Sequence, residues 1–253
     1  MSVFISHGSP MHALEPGAAG EAWKALGRRL GKPRTILMAS AHWETSLPML
    51  TGAERPQTIH DFYNFPEPLY RLRYPAPGAP GIARRAQSLL QEAGIGASID
   101  GTRGLDHGAW APLLYAYPEA DVPVVQISVQ PALGPRHHLA VGNALRPLAQ
   151  EGVLIVGSGH MTHNLRDWSR GRGGPEPYAR EFQAWVFDKL NQKDLESLID
   201  YRTRSPHGAR AHPTDEHFLP LFVALGAAVE LKPERVYDAI DGGVLAMDAY
   251  VLN

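Results

Sequence analysis

The sequence predicts a single-domain α/β protein with a central, mainly parallel (mixed) sheet and helices on both faces. Three observations lead to this class. Apolar runs of strand length alternate with amphipathic segments along the 253 residues. Some of these runs are apolar almost throughout, as expected for strands buried on both faces of a parallel sheet. Histidines follow the ends of several runs, and the carboxyl ends of parallel strands form the ligand-binding edge of such a sheet.

The first half of the chain alternates strand, helix, strand, loop and helix. Val3 to Ser6 and Thr35 to Ala41 are apolar runs of strand length. Glu21 to Leu30 carries apolar residues at helical spacing and stops before a glycine, and Gly81 to Ala93 shows the same pattern. Thr51 to Pro80 is rich in proline and aromatic residues, which is typical either of a functional loop or of a long loop anchored to the core.

The second half continues the alternation. Val122 to Val129 and Val153 to Val156 are predicted strands, and a helix is predicted between them over His137 to Gln150. Amphipathic helices are predicted over Pro177 to Leu190 and Glu216 to Leu225. Strands from both halves of the chain carry histidines, and these can form one shared site only if the strands belong to the same sheet. We therefore expect one domain over residues 1–253, with its active site at the strand carboxyl ends.

Composition and charge exclude several classes of protein. A hydrophobic fraction of 44% and a charged fraction of 20% are ordinary for a globular protein, and a net charge of −2 indicates neither a nucleic-acid nor a membrane partner. The chain has no cysteine, which excludes disulfides, iron–sulfur clusters and thiolate ligands. Neither a signal peptide nor the roughly 20 apolar residues of a membrane span is found. We therefore expect a cytoplasmic location.

Two histidines follow strand ends directly and suggest a metal site. His7 follows the first apolar run, and His42 follows the second. Either alone is as consistent with a core histidine bonded to a backbone carbonyl, but the two together favour a metal. Without cysteine the ligands must be imidazole and oxygen, which suit zinc, iron, manganese or nickel. Four other histidines are expected at the surface: His12, His137, His138 and His207.

Glycines surround two further histidines. His107 lies in Gly104-Leu105-Asp106-His107-Gly108, where flexible backbone permits close approach to a ligand, although a plain turn accounts for the same pattern. His163 follows Gly157-Ser158-Gly159, which lacks the third glycine of a dinucleotide-binding motif. A second glycine-rich loop is predicted over Arg170 to Glu176.

The last candidate histidine is expected on a helix. Thr214 is a suitable N-cap residue, which places His217 at the third helical position. His212 and His217 do not have the H-E-x-x-H spacing of a zinc protease, and no G-x-S-x-G motif of a serine hydrolase occurs.

Taken together, these segments resemble the LigB-like class III extradiol ring-cleavage dioxygenases, in particular the 4,5-DOPA extradiol dioxygenase subfamily. Each segment alone is a weak signal, but the ordered set covers nearly the whole chain and is specific. The matching segments are Ser6-His7-Gly8-Ser9-Pro10-Met11, Ser40-Ala41-His42-Trp43, Ile59-His60-Asp61-Phe62 with Phe65-Pro66, Leu69-Tyr70, Tyr74-Pro75-Ala76-Pro77-Gly78, Leu105-Asp106-His107-Gly108, His163-Asn164-Leu165, and His212-Pro213-Thr214 through His217.

The resemblance implies one non-haem metal ion per chain, held by His7, His42 and His217. It implies that His163 is either a fourth ligand or an acid–base group beside the metal, and that His107 assists proton transfer and oxygen chemistry at the metal's open side. The wider class uses two histidines and a glutamate, whereas this chain has His217 at the third position. The metal is therefore left open between Fe(II) and Zn(II).

The implied reaction is extradiol cleavage of a DOPA-like catechol, a small aromatic diol, with O2. His163 would take the second catechol proton and His107 would protonate the oxygen-derived group. Trp43, Phe62 and Tyr63 are candidates to surround the ring. A zinc-dependent hydrolase using the same histidines is the enzymatic alternative, and a binding protein with a closed metal site is the non-enzymatic one. The oligomeric state is left open.

Overall fold

Ten strands are present in the computed structural model of the chain, which describes residues 1–168 and 174–253. In chain order they are β1 (Ser2–Ser6), β2 (Thr35–Glu44), β3 (Met49–Thr51), β4 (Ser98–Asp100), β5 (Val124–Val129), β6 (Val153–Gly159), β7 (Pro233–Tyr237), β8 (Ile240–Asp241), β9 (Leu245–Ala246) and β10 (Ala249–Leu252). Strands β8 and β9 form a separate hairpin, and the other eight form one sheet. Most of the loop predicted over Arg170 to Glu176 lies outside the described residues.

The sheet is mixed, with a parallel centre. Its order is β4–β3–β5–β2–β6–β1–β10–β7. The four central strands β5, β2, β6 and β1 are parallel, whereas β10 and β7 add antiparallel pairs at one side and β3 runs antiparallel to β5 at the other. Ser6 of β1 lies opposite Gly159 of β6, and Ser40 of β2 lies opposite Ser158. The carboxyl ends of these three neighbouring strands are therefore close to level with one another.

Eleven α-helices connect or cover these strands within the described ranges. They are α1 (Gly17–Leu30), α2 (Glu67–Arg71), α3 (Pro80–Glu92), α4 (His107–Ala116), α5 (Gly134–Leu145), α6 (Pro147–Gln150), α7 (Pro177–Gln192), α8 (Leu195–Ile199), α9 (Tyr201–Arg204), α10 (Gly208–Ala211) and α11 (Leu219–Ala227). None of the described helices is long and apolar enough to cross a bilayer.

The helices cover both faces of the sheet, as the sequence predicts. Successive residues of a strand point to opposite faces. Ile36 and Met38 of β2 belong to a buried cluster with Trp110 of α4, whereas the intervening Leu37 packs in a cluster with Val141 of α5. Apolar burial on both faces stabilises the sheet by about 25 cal/mol per Å² removed from water. The α/β class with a mainly parallel mixed sheet is confirmed.

The helix predicted over His137 to Gln150 is interrupted, and one of its histidines is buried. Pro147 ends α5 and begins α6, because proline lacks the N–H that would continue the first helix. His138 is completely buried; its Nε2 accepts from the backbone N–H of Gln130, and its Nδ1 donates to the carbonyl of Gly134. The expectation that His138 lies at the surface is therefore wrong.

The last predicted helix begins later than expected. Helix α11 starts at Leu219 rather than at Glu216, with Pro220 in its first turn. The hydroxyl of Thr214 donates to the Glu216 carboxylate and does not cap the helix. His217 consequently lies in the turn that precedes α11.

The long segment from Thr51 to Pro80 is anchored to the core. Isolated bridges join Thr58 to Leu105 and Gly78 to Val124, and the short helix α2 lies between them. This anchoring places residues 59–65 beside the start of α4.

Candidate metal centre and active site

Three histidines meet where neighbouring parallel strands end. His7 follows β1 directly, His160 follows β6 directly, and His42 lies two residues before the end of β2. The ring centroid of His7 lies 4.8 Å from that of His42 and 4.7 Å from that of His160. The strand order β2–β6–β1 therefore brings His160 together with two histidines that precede it by more than a hundred positions in the chain.

A fourth histidine, His217, lies beside these three because β6 ends in glycine. His217 precedes α11, and its carbonyl accepts a hydrogen bond of 2.8 Å from the backbone N–H of His160. A Cβ at Gly159 would lie 2.1 Å from the His217 carbonyl oxygen, and one at Gly157 would lie 2.1 Å from that of Pro220. The Gly-Ser-Gly segment thus allows the turn before α11 to pack directly on β6.

The Nε2 atoms of three of these histidines converge. Nε2 of His42 lies 2.9 Å from Nε2 of His7 and 3.3 Å from Nε2 of His217. Two nitrogen ligands of one ion at ~2.1 Å are separated by about 3.0–3.4 Å in octahedral or tetrahedral geometry. The observed spacings are close to this range.

Two of the converging histidines, His7 and His217, each present Nδ1 to a different partner. The hydroxyl of Ser158 donates to the Gly108 carbonyl, so its oxygen accepts from Nδ1–H of His7 at 3.0 Å. Nδ1 of His217 donates to the Glu216 carboxylate at 2.9 Å. These bonds put the proton on Nδ1 and leave a lone pair on Nε2, which is the arrangement typical of histidine metal ligands.

Burial keeps these rings neutral. It is the largest cause that lowers the pKa of His7, His42, His160 and His217 well below the usual value, and the charges of neighbouring histidines lower it further. A neutral imidazole can bind a cation and a protonated one cannot. The donor set, which consists of buried neutral nitrogens with free lone pairs, therefore fits a zinc or iron ion.

His107 begins α4 and is held by a carboxylate from a distant segment. Its backbone N–H donates to Oδ1 of Asp61, and its Nδ1 lies 2.9 Å from Oδ2 of the same residue. Burial opposes ionisation of Asp61, but the hydrogen bond and charge of His107, together with His42, outweigh it and lower the pKa of Asp61 to about 2. The neighbouring Asp106 instead accepts from Ser40, Gln126 and Arg103 and does not orient His107.

His163 stacks on His217. Their ring centroids are 3.4 Å apart and their planes differ by 13°. Burial, followed by the charge of His107, lowers the pKa of His163 to about 4. Two sets of three side chains have possible metal-ligand atoms within 4.8 Å of one another. The first set is His7, His42 and His107, and the second is His163, Glu216 and His217.

Sequence reasoning assigned no role to two residues of the site, Asp61 and His160. His160 is buried, its Nε2 donates to the Gly8 carbonyl, and its Nδ1 has no partner among the described residues. Its place after β6, matching His7 after β1, was the signal for it. Asp61 lies in one of the segments that carry the family resemblance, but nothing in the sequence indicates that it contacts His107.

The histidines form the floor of a pocket of about 650 Å³. Phe62 lines this pocket as expected, whereas Tyr63 is 82% exposed and Trp43 is buried beneath the Arg103 guanidinium, so neither surrounds it. Residues outside the predicted set form much of the wall. The lining consists of His7, Gly8, Ser9, Pro10, Met11, His42, Asp61, Phe62, Phe65, His107, His160, His163, Leu165, Trp168, His217 and Leu245.

An α/β fold with a buried, neutral histidine cluster beneath an apolar-walled pocket defines a metal-dependent enzyme class. Residues 2–242 match the family model described as the catalytic LigB subunit of aromatic ring-opening dioxygenase. The chain therefore belongs to this family of metal-dependent dioxygenases, which act on an aromatic substrate with O2.

Similar proteins agree with this assignment. A 4,5-DOPA dioxygenase extradiol from Beta vulgaris is 44% identical over 98% of this chain and 94% of its own length. A protein of the same name from Escherichia coli (strain K12) is 38% identical over 97% and 92%. A crystal structure of an uncharacterized Escherichia coli K12 protein matches with a TM-score of 0.83 and 34% identity, covering 98% of both chains. The chain is a non-haem extradiol dioxygenase, and a hydrolase is not favoured.

Proposed function

We propose that the protein opens the ring of a DOPA-like catechol next to its two hydroxyls, using one metal ion held by His7, His42 and His217. The convergence of the three Nε2 atoms is the observation that carries this proposal. When bound, Fe(II) would acidify the catechol hydroxyls and bring O2 beside the ring, whereas Zn(II) would supply only the first of these. The names of the similar plant and bacterial proteins support a catechol that carries an amino-acid side chain.

The stacking of His163 supports an acid–base role for it rather than a fourth ligand position. An imidazole lone pair lies in the plane of its ring, so two rings stacked 3.4 Å apart direct their lone pairs along parallel planes and not to one point. His163 is neutral at pH 7 because its pKa is lowered to about 4, chiefly by burial. It would take the proton of the second catechol hydroxyl.

His107 occupies the other side of the pocket floor. Its ring centroid lies 3.9 Å from that of His42, and it lines the pocket. It would return a proton to oxygen as the ring opens. The overall reaction adds both atoms of O2 to the catechol and releases nothing, so the two histidines need only move protons that the catechol itself supplies.

Metal analysis and oxygen consumption test this function. His217→Ala is expected to lose bound metal, and His163→Ala is expected to retain it while losing at least ~100-fold in kcat. His207→Ala, a half-buried histidine bonded to Glu181 away from the site, is the matched control. With L-DOPA and labelled O2, both oxygen atoms should appear in the product.

Two results would contradict these assignments. Full metal occupancy in His217→Ala would refute the ligand set, and loss of metal in His163→Ala would make it a fourth ligand. Absence of O2 uptake by the Fe(II)-loaded protein with every catechol tested would refute ring cleavage of this substrate class.

A further inference from the structure

Asp61 lies between the proposed proton-transfer residue and a proposed metal ligand. We propose that Asp61 is a positioning residue, which fixes the tautomer and ring orientation of His107 so that its Nε2 is free to exchange a proton in the pocket. This inference rests on the proposed function of His107.

The tautomer follows from the two hydrogen bonds of Asp61. An ionised carboxylate can only accept, and it accepts from both the backbone N–H and the Nδ1 of His107, each at 2.9 Å. The ring proton must therefore be on Nδ1, and Nε2 carries the lone pair.

The position of Asp61 is fixed by the elements around it. The neighbouring Ile59 donates its backbone N–H to the Leu105 carbonyl at 2.7 Å, and its own carbonyl accepts from the indole N–H of Trp110 at 2.8 Å. Phe62 is buried, and its ring meets His107 edge-on with centroids 5.7 Å apart. The segment that supplies Asp61 is thus tied to Leu105, just before α4, and to Trp110 in the first turn of α4.

Two simpler roles for Asp61 are distinguishable from this one. Asp61 caps the first N–H of α4, because both oxygens of Asp106 are already occupied by Ser40 and Gln126. Asp61 also lies 3.4 Å from Nδ1 of His42, so it could act on the metal through that ligand. A cap would affect stability alone, and a role through His42 would affect metal content. Only the role through His107 affects its tautomer and kcat together.

Asp61→Asn is the decisive variant. The side-chain amide has one accepting oxygen in place of two, and the backbone N–H of His107 must keep it because that group can only donate. The amide N–H then faces Nδ1, which moves the ring proton to Nε2. We expect nitrogen-15 NMR of the histidine-labelled, zinc-loaded protein to show His107 protonated at Nδ1 in the wild type and at Nε2 in the variant, with the resonances assigned through His107→Gln.

Kinetics provide the second readout. For Asp61→Asn in the Fe(II)-loaded enzyme, we expect kcat for catechol cleavage to fall by about 100- to 10,000-fold, KM to change little, and metal content to stay near that of the wild type. Asp61→Glu should recover part of kcat. In a His107→Ala background the same substitution should cost nothing further, because the two residues act as one unit. Trp110→Phe, which removes the bond to Ile59 while leaving Asp61 and His107 in place, is the control for loosening of the segment.

Three outcomes would overturn the inference. These are an unchanged His107 tautomer in Asp61→Asn, a fall in kcat that only tracks lost metal, and an equal loss in Trp110→Phe. The NMR measurement does not require turnover, so an inactive wild-type enzyme would count against the proposed function and not against the role of Asp61.

Discussion

Which ring nitrogen makes a hydrogen bond determines which nitrogen of each histidine in this site is left to bind a metal. His7 and His217 donate Nδ1–H to Ser158 and Glu216, and their Nε2 atoms converge. His160 instead donates Nε2–H to a backbone carbonyl, which removes that nitrogen from the set of possible ligands. The sequence identifies the residue type but not which of its nitrogens is free, because that depends on partners from other elements.

Ser158→Ala should weaken metal binding without disrupting the fold. The substitution removes the oxygen that accepts from Nδ1 of His7, and loss of such a partner typically costs 10- to 100-fold in metal affinity, about 1.4–2.7 kcal/mol. The measurement is the metal dissociation constant by competition with a chelator. Ser2→Ala is the matched control, because it removes a buried hydroxyl bonded to Leu252 at the other end of β1. Equal affinities in wild type and Ser158→Ala would contradict the role of this hydroxyl.

Asp61, the carboxylate that contacts His107, could not be identified from the sequence. Asp106 adjoins His107 and could be considered its partner, yet Asp61, 46 residues away, occupies that position. Adjacent residues at the start of a helix point in different directions, and pairing across such a separation is decided by tertiary packing. The histidines at strand ends were predictable because strand direction alone determines where they lie.

At the scale of elements, the parallel strands and their histidines were predicted from the sequence, whereas helix ends were not. The strand predicted over Val153 to Val156 was found as β6, which continues to Gly159. The prediction ended the strand early because a Gly-Ser-Gly segment is typical of a loop. Here the glycines are required by close packing of the turn before α11, a tertiary contact that no local pattern reports.

Gly159→Ala should therefore act like the loss of a metal ligand. The new Cβ would lie 2.1 Å from the His217 carbonyl oxygen, a distance that forces the turn away from β6 and breaks the hydrogen bond from His160. We expect metal content to fall severalfold and the free energy of unfolding to drop by about 1–3 kcal/mol. Metal analysis and urea denaturation measure the two effects. Gly96→Ala, where a Cβ would meet open space, should change neither; full metal content in Gly159→Ala would show that the turn has room to adjust.

At the scale of the whole molecule, burying so many neutral histidines makes the metal-free protein sensitive to acid. Burial is the largest cause that lowers the pKa of His138 and His163 to about 4 and that of His212 to about 3. The unfolded chain binds protons at these histidines below about pH 6.5 while the folded protein does not, so stability is lost as the pH falls.

The metal-free protein should accordingly unfold between about pH 6 and pH 4. Each of these three histidines contributes about 1–2 kcal/mol of destabilisation by pH 5, so together they remove about 3–6 kcal/mol from a stability that is usually about 5–15 kcal/mol for a domain. The buried histidines His7, His42, His160 and His217 act in the same direction. Circular dichroism of chelator-treated protein across this range tests the expectation. Added Zn(II) should move the transition to lower pH, since a ligand that binds only the folded state stabilises it. A chelator-treated protein that keeps its full signal at pH 4 would contradict this account.

Asp248 has the opposite effect on the pH dependence of stability, and a single substitution separates its effect from that of the histidines. It is completely buried among Gln183, Tyr250 and Arg235, and burial raises its pKa to about 7 despite the hydrogen bonds that favour the charged form. An unfolded aspartate loses its proton near ~3.9, so between about pH 4 and pH 7 the folded state holds the extra proton. Stability contributed by this group therefore falls as the pH rises through that interval.

Asp248→Asn removes this penalty, because the amide does not titrate and can still accept from Gln183. We expect the difference in free energy of unfolding between the variant and the wild type to increase by about 2–4 kcal/mol, in favour of the variant, from pH 5 to pH 8. Urea denaturation of the zinc-loaded proteins at the two pH values measures this change. The histidine contributions are common to both proteins and cancel in the difference. Asp121→Asn, which neutralises an exposed carboxylate paired with Lys32, should show the same difference from wild type at both pH values. If the difference between Asp248→Asn and the wild type is also the same at both pH values, the buried carboxyl group is already ionised at pH 5, and the positive charge of Arg235 stabilises it.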